Sequence, residues 1–193
     1  AVLWGIGISN PEATHALANL QMLLGNLGQA GGGVNPLRAQ NNTQGASDMG
    51  CSPEFLPGYQ PVSDANARGK FEQVWGGKIR DAAGLNASAM MGKVRALYIV
   101  GEDIINTSPE AAEIRKHLEA CEFVVLQEMA FSETTRYADV ILPDVSFAEK
   151  TGTFTNTERR VQMVHQAIEP LGDARPDWQI LTDLGDRLGS NWG

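Results

Sequence analysis

The chain has little cysteine, only Cys51 and Cys121 in 193 residues. Two thiols cannot frame a disulfide-stapled scaffold or ligate a four-thiolate iron–sulfur cluster, so no such cluster is built from this sequence alone. Bases are fewer than acids, 15 Lys and Arg against 23 Asp and Glu, for a net charge of −8. With no dense basic run to face a phosphate backbone, nucleic acid is excluded as an electrostatic partner. No apolar run approaches the roughly 20 residues that cross a bilayer, so no membrane insertion is expected. The chain also lacks an initiating Met, a basic leader and a small-residue cleavage site. Ala1-Val2-Leu3-Trp4-Gly5 reads as a strand already under way, which predicts a start in mid-fold.

What is present is alternation. A strand over residues 2–6 passes through Gly5-Ile6-Gly7 to a helix over 12–24, with Ala13, Leu17, Leu20 and Leu24 on one face and Gly25 as its stop. From Gly25 to Pro61 the text is Gly, Asn, Gln, Ser and Pro, which predicts a long polar loop of the kind that is usually functional. A short helix is expected over 64–75 and a strand over 94–100. Ser108-Pro109-Glu110, in the order N-cap, N1 proline and acidic first turn, is expected to open a helix to about Ala120. Strands follow at 123–126 and 139–142, with Pro143 as a stop. A last helix over 176–188 places Trp178, Leu181, Leu184 and Leu188 on one stripe before Gly189. Repeated strand–helix–strand units predict an α/β fold, a Rossmann-like parallel sheet with helices on both faces.

Ligands of such sheets lie beyond the carboxyl ends of the strands. Those ends carry Gly101-Glu102-Asp103, Gln127-Glu128 and Pro143-Asp144. Carboxylates there repel phosphate but accept well from a ribose hydroxyl or a guanine N–H edge; an ordinary acidic turn is the alternative. Gly5-Ile6-Gly7 is half of a dinucleotide fingerprint without the third glycine, and a steric turn explains it equally. Arg38-Ala39-Gln40-Asn41-Asn42-Thr43-Gln44-Gly45 surrounds one arginine with amides. Amides suit a heteroatom-rich ligand and the lone guanidinium suits a carboxylate; a surface loop is the bland reading. His15 and His117 fall on predicted helices without a Cys or His at ligand spacing and read as solvent-facing, and His165 is unremarkable. Cys51 has no cationic neighbour to activate it, and Cys121 reads as a small hydrophobe.

The run from Leu24-Gly25-Asn26-Leu27-Gly28 through Gly33-Val34-Asn35-Pro36-Leu37-Arg38-Ala39-Gln40-Asn41-Asn42 to Met49-Gly50 resembles the molybdenum- or tungsten-dependent formate dehydrogenases, which are molybdopterin oxidoreductases of the dimethyl sulfoxide reductase superfamily. Further stretches agree in order: Pro57-Gly58-Tyr59-Gln60, Tyr98 to Asp103, Ala138 to Pro143, and Glu149 to Gln162. The formate dehydrogenase assignment rests mainly on Asn35 to Asn42; the other stretches mark the wider superfamily.

This resemblance implies a middle segment of a longer catalytic (alpha) subunit. There a Mo or W centre is held by two molybdopterin guanine dinucleotides, and a 4Fe-4S cluster lies outside this segment. Arg38 matches the arginine that orients formate, and Gln40 a residue near the pterin. Gly101, Glu102, Asp103 and Thr107 look like a loop cradling one guanine dinucleotide, with Gln127, Glu128 and Met129 at the next strand end and Asp177 as a second polar contact. No metal ligand is carried over to either cysteine. Ala39 stands where the family usually has glycine, Arg159 where many superfamily members have glycine, and the stretch after Ser9 looks shortened.

The implied organisation is 1–40 as the end of one αβα domain, 41–146 as a second that binds the guanine dinucleotide, 147–175 as an excursion toward the cluster-bearing domain, and 176–193 as a return helix. Implied partners are formate, the rest of the same subunit and electron-transfer subunits. The segment alone is expected to be inactive, and its acidic character is compatible with a cytoplasmic setting. A relative with another substrate, such as a nitrate reductase, and a nucleotide-binding module without redox activity are the alternative readings.

Overall fold

The apolar run at the start of the chain is a strand of three residues. In the computed structural model, which describes residues 1–190, β1 (Val2–Trp4) pairs in parallel with β2 (Val34–Pro36), Val2 opposite Val34 and Trp4 opposite Pro36. Between them lies α1 (Pro11–Leu23), opened by Asn10, whose side chain accepts from the Ala13 N–H at 2.7 Å, and by Pro11. Its expected apolar face is not buried: Leu20 and Leu24 are exposed, and Gln21 is the buried residue. A two-stranded sheet is too small to cover a full helical stripe. Gln21 is covered instead by the following loop, where Asn26 donates its backbone N–H to the Gln21 carbonyl at 2.9 Å and its amide to Gln21 Oε1 at 3.1 Å.

The stretch expected as one polar loop contains structure of its own. Besides β2, it holds α2 (Thr43–Asp48) and a small antiparallel pair, β3 (Phe55–Leu56) with β4 (Gln60–Pro61). Gly45 allows α2 to form where it does, because a Cβ there would lie 2.2 Å from Asn42 Oδ1 and 3.2 Å from Thr155 Oγ1. Then α3 (Ala65–Trp75) follows the expected bounds, with Asp64 accepting from the Asn66 N–H at 2.8 Å and Gly76 closing the helix at φ 71°.

Further along, α4 (Ala87–Met90) precedes β5 (Ala96–Val100), α5 (Ile104–Thr107) and α6 (Ala111–Ala120), and then β6 (Phe123–Glu128) and β7 (Val140–Pro143). The three strands form a parallel sheet in the order β5-β6-β7, with Leu97 beside Val124 and Leu126 beside Ile141. Alternation along β5 sends Leu97 and Ile99 to one face. There they form the core with Ile105, Ile114, Leu118, Val124 and Leu126. The other face carries Tyr98 and Gln127.

Ser108 does not cap α6. It is extended, as a residue before proline must be, it ends α5, and its Oγ accepts from the Glu110 N–H at 3.2 Å, so the helix starts at Ala111. Pro143 does not stop β7 but is its last residue; the strand is at the sheet edge, and the Pro143 carbonyl accepts from the Arg175 N–H at 3.2 Å.

A hairpin of β8 (Gly152–Thr155) and β9 (Val161–Val164) leads to α7 (Asp177–Arg187). The apolar stripe of Trp178, Leu181, Leu184 and Leu188 is exposed, and burial falls on Ile180 and Gly185. The start of α7 is tethered to the sheet through Gln127 and Asp177, which sets which face turns inward. The chain is thus mixed α/β with a parallel sheet flanked by helices.

Contacts divide it into two compact units, Ala1–Gly84 with Thr153–Met163, and Leu85–Gly152 with the segment from Val164 onward. These bounds differ from those at 40, 146 and 175 expected from sequence. Residues 41–48 are tied to the hairpin, Asn42 to Thr155 and Asp48 to Arg159, rather than to the three-stranded sheet. The end of the expected 176–193 segment, residues 191–193, lies outside the described residues.

Candidate functional site

Functional side chains gather in each unit separately. In the first, the turn after β2 and the start of α2 face the 155–159 turn of the hairpin across a cavity of about 460 Å³. Arg38, Gln40, Asn41 and Gln44 line one side, Asn156 and Arg159 the other, and no carboxylate is among the lining residues. Among the described residues Arg38 makes no ion pair, whereas Arg159 is bonded to Asp48 at 2.8 Å. The Arg159 hydrogen bond holds the Asp48 carboxyl below its ordinary range. An uncompensated guanidinium among neutral amides is a site for a small anion, and its planar fork matches a carboxylate.

In the second unit the expected cradle sits at the carboxyl end of the sheet. Gly101, at φ 61°, turns the chain out of β5 and donates to the Gln127 carbonyl at 2.8 Å. Glu102 accepts from the Thr107 hydroxyl, which also reaches the Asp103 carbonyl at 3.1 Å. Asp103 Oδ1 accepts from Thr134 Oγ1 at 2.6 Å and from its N–H at 3.3 Å, while Oδ2 accepts from the Asn106 amide at 2.6 Å. Burial raises the Asp103 carboxyl, but the bonds from Thr134 and Asn106 outweigh it and hold the group low. About one of its roughly four lone-pair directions is left for a ligand. Asp103 therefore shapes the loop first, and it also lines a cavity of about 610 Å³ with Phe131, Ser132 and Arg136.

Gln127 is fully buried at the end of β6. Its Oε1 accepts from the Tyr98 hydroxyl at 2.6 Å, and its amide donates to Asp177 Oδ1 at 2.9 Å. Lys150 donates to the other oxygen of Asp177. Burial and the facing Asp177 push the Asp144 carboxyl up to about 7. Burial also raises Asp177, but its bonds with Asp144, Lys150 and Gln127 prevail and lower it. Glu128 is turned back onto the Met129 N–H at 2.9 Å, and the Met129 side chain is exposed.

The structure thus joins Gln127 to Asp177, and Glu102 and Asp103 to Thr107, while Arg38 and Gln40 share a cavity in the other unit. Sequence reasoning missed Tyr98, Thr134 and Lys150 as members of these networks, and it named Asp144 only as a strand end. Lys150 lies two residues before Gly152 in a motif read as a family mark, with nothing in its spacing to pair it with Asp177. The His117 reading needs correction: the ring packs on Gly92, and its Nδ1 is buried without a partner.

The family model described as molybdopterin oxidoreductase matches residues 9–187. The chain belongs to the molybdopterin oxidoreductase family. The chain is 44% identical over 200 residues to the putative formate dehydrogenase YrhE of Bacillus subtilis, covering 99% of itself and 20% of that protein. It is 42% identical over 199 residues to formate dehydrogenase H of Escherichia coli, covering 98% of itself and 28% of that protein. A formate dehydrogenase subunit alpha of Methanocaldococcus jannaschii is 46% identical over 182 residues, covering 92% of this chain and 27% of its own length. The chain thus spans between a fifth and somewhat over a quarter of the curated relatives it matches. Family membership implies a molybdopterin-type cofactor. Such a group needs hydrogen-bond donors and acceptors together, and Asp144, Asp177, Gln127 and Lys150 gather both kinds at one strand end. No helix among the described residues is long and apolar enough to cross a membrane.

Proposed function

We propose that this chain is the part of a formate dehydrogenase catalytic subunit that anchors formate and holds one end of the cofactor. The observation that carries the reading is Arg38 in an amide-lined cavity without a lining carboxylate, within a chain of this family. Formate loses two electrons and one proton to become carbon dioxide. When bound, a Mo or W centre carried by two molybdopterin guanine dinucleotides would supply the two-electron acceptor, with iron–sulfur centres elsewhere in the subunit as the route to partner subunits.

The residues of this chain bind and orient. Arg38 holds both carboxylate oxygens by charge-assisted bonds, which fixes where the C–H bond points. Gln40 contributes a neutral donor and acceptor on the pterin side of the same cavity. In the other unit Gly101, Glu102, Asp103 and Thr107 shape the loop for the nucleotide's sugar. Gln127 and Asp177, with Asp144 beside them, meet the N–H edge of guanine, and Glu128 and Met129 border it.

The test is Arg38→Ala in the complete subunit, assayed with formate and with nitrate. A large rise in formate KM or fall in kcat at unchanged metal content is expected. Unchanged formate kinetics at full metal occupancy, or turnover of nitrate instead, overturns the reading.

A further inference from the structure

Among the described residues two that are not glycine hold a positive φ, Tyr59 at 57° and Arg159 at 60°. They meet: the Arg159 guanidinium lies over the Tyr59 ring, 5.7 Å from its centroid. A side-chain-bearing residue is strained in this backbone region, so contacts must hold the turn there. Arg159 Nη2 donates to Asp48 Oδ1 at 2.8 Å. Gln44 ties the group together, donating to Asp48 Oδ1 at 3.0 Å and to the Tyr59 hydroxyl at 3.3 Å.

Asp48 is the last residue of α2, and Asn42 stands just before its first. Asn42 also reaches the hairpin, its Oδ1 accepting from the Thr155 N–H at 3.0 Å. Both ends of α2 are therefore fastened to the 155–159 turn. That turn and the segment from Arg38 to Gln44 are the two walls of the Arg38 cavity. The Arg159 guanidinium is engaged by Asp48 and Tyr59, neither of which lines the cavity, so it acts on the wall and not as a second anion ligand.

We propose that Arg159 is a positioning residue that clamps the hairpin wall of the Arg38 cavity through Asp48, setting a width that admits formate and disfavours larger carboxylates. The proposal rests on the reading of Arg38 as the carboxylate anchor. Releasing the clamp lets the wall relax away from Arg38. Formate is then held less tightly, and a carboxylate with one more carbon enters more easily.

The experiment uses the complete, metal-loaded subunit carrying Arg159→Gln, Asp48→Asn or Arg159→Lys, with acetate as the probe of width. The first two variants are expected to raise formate KM by about three- to tenfold and to lower the acetate inhibition constant relative to it, with the loss on KM more than on kcat. Arg159→Lys, which keeps the ion pair, stays nearer the parent. Amide hydrogen exchange over residues 156–161 speeds up in Arg159→Gln and Asp48→Asn whether or not the enzyme turns over. Unchanged KM and acetate inhibition in both variants, or unchanged exchange, overturns the clamp. Failure of the anchor shows separately, as an Arg38→Ala enzyme with normal formate kinetics, and in that case the exchange measurement still decides whether the wall is clamped.

Discussion

Asp144 and Asp177 face each other beside Lys150, at the carboxyl end of the parallel sheet. Two carboxylates in contact cannot both ionise cheaply, so one keeps a proton. Asp177 has the Lys150 ammonium and the Gln127 amide, and Asp144 has neither as a hydrogen-bond partner. The proton therefore belongs to Asp144.

The pair fixes a pH dependence. Folding raises Asp144 from the ordinary 3.8 to about 7, so the folded state binds the extra proton, and stability falls as pH rises through that window. Asp177 is lowered, so its contribution is present above 3.8 and lost as pH falls through its folded value. Asp144→Asn imitates the protonated form and keeps an acceptor for the Val145 N–H. It should flatten the decline between pH 4 and 7 and raise Tm at pH 8 by roughly 2–4 °C, the shift expected for about 1 kcal/mol in a chain of this size. Thermal denaturation at several pH values checks this, and a variant that declines in parallel with the parent contradicts it.

Asp103 depends on Thr134, which is fully buried and also accepts from the Ile105 N–H at 3.4 Å. Thr134→Val keeps the shape and removes both bonds of the hydroxyl. It leaves a buried N–H and a carboxylate oxygen short of partners, at a cost of about 1–3 kcal/mol. The Asp103 carboxyl should then titrate nearer its ordinary value. Carboxyl carbon NMR titration with denaturant unfolding measures both, and an unmoved Asp103 would show that Asn106 alone sets it.

Leu126 is 0% exposed at the centre of the sheet's packed face, while Val140 on the edge strand is 37% exposed. Leu126→Ala should therefore cost about 2–5 kcal/mol. Val140→Ala should cost less, about 0.5–1 kcal/mol, because more than a third of the residue already meets water. Equal losses by urea unfolding would mean that the exposed face of the sheet is covered in solution.

The contrast between these two residues shows how far the sequence could be read. Leu97, Ile99, Val124 and Leu126 declare themselves by alternation in strands of β-branched and leucine residues, and the α/β reading followed from them. Gly25 declared a helix end because a C-terminal glycine is local chemistry, whereas the caps Asn10 and Asp64 and the stop at Gly76 came from the structure. The stripes on α1 and α7 were found as faces but their exposure was not legible, because periodicity reports that a face is apolar, not that something in this chain covers it. Ser108 was misread because a serine before proline serves a turn as well as a cap. At the candidate site, Arg38 was singled out by its amide-rich setting and the strand ends by topology, and the structure puts Arg38 on a cavity wall. Lys150 and Thr134 were not, since each joins its partner, Asp177 or Asp103, across 27 or 31 residues by folding alone. Arg159 was noticed only as standing where glycine is common, and its bond to Asp48 spans 111 residues.

Two glycines near Tyr59 separate backbone strain from crowding. Gly58 has φ 75° and open space around a prospective Cβ, while Gly50 has φ 83° and would place that atom 2.8 Å from Pro57 N and 3.0 Å from the Leu56 carbonyl carbon. Gly58→Ala should cost only the left-handed backbone penalty, about 1–2 kcal/mol. Gly50→Ala pays the same penalty and must also push backbone aside, adding roughly 1–3 kcal/mol. The added cost falls on the turn between β3 and β4, whose Gly58 N–H donates to the Asp48 carbonyl at 2.7 Å, so the displacement reaches the residue that holds Arg159. Gly50→Ala should therefore lower Tm more than Gly58→Ala and also speed amide exchange over residues 156–161. Equal Tm values for the two variants would show that the loop yields without strain, and unchanged exchange would show that Asp48 stays in place while it does.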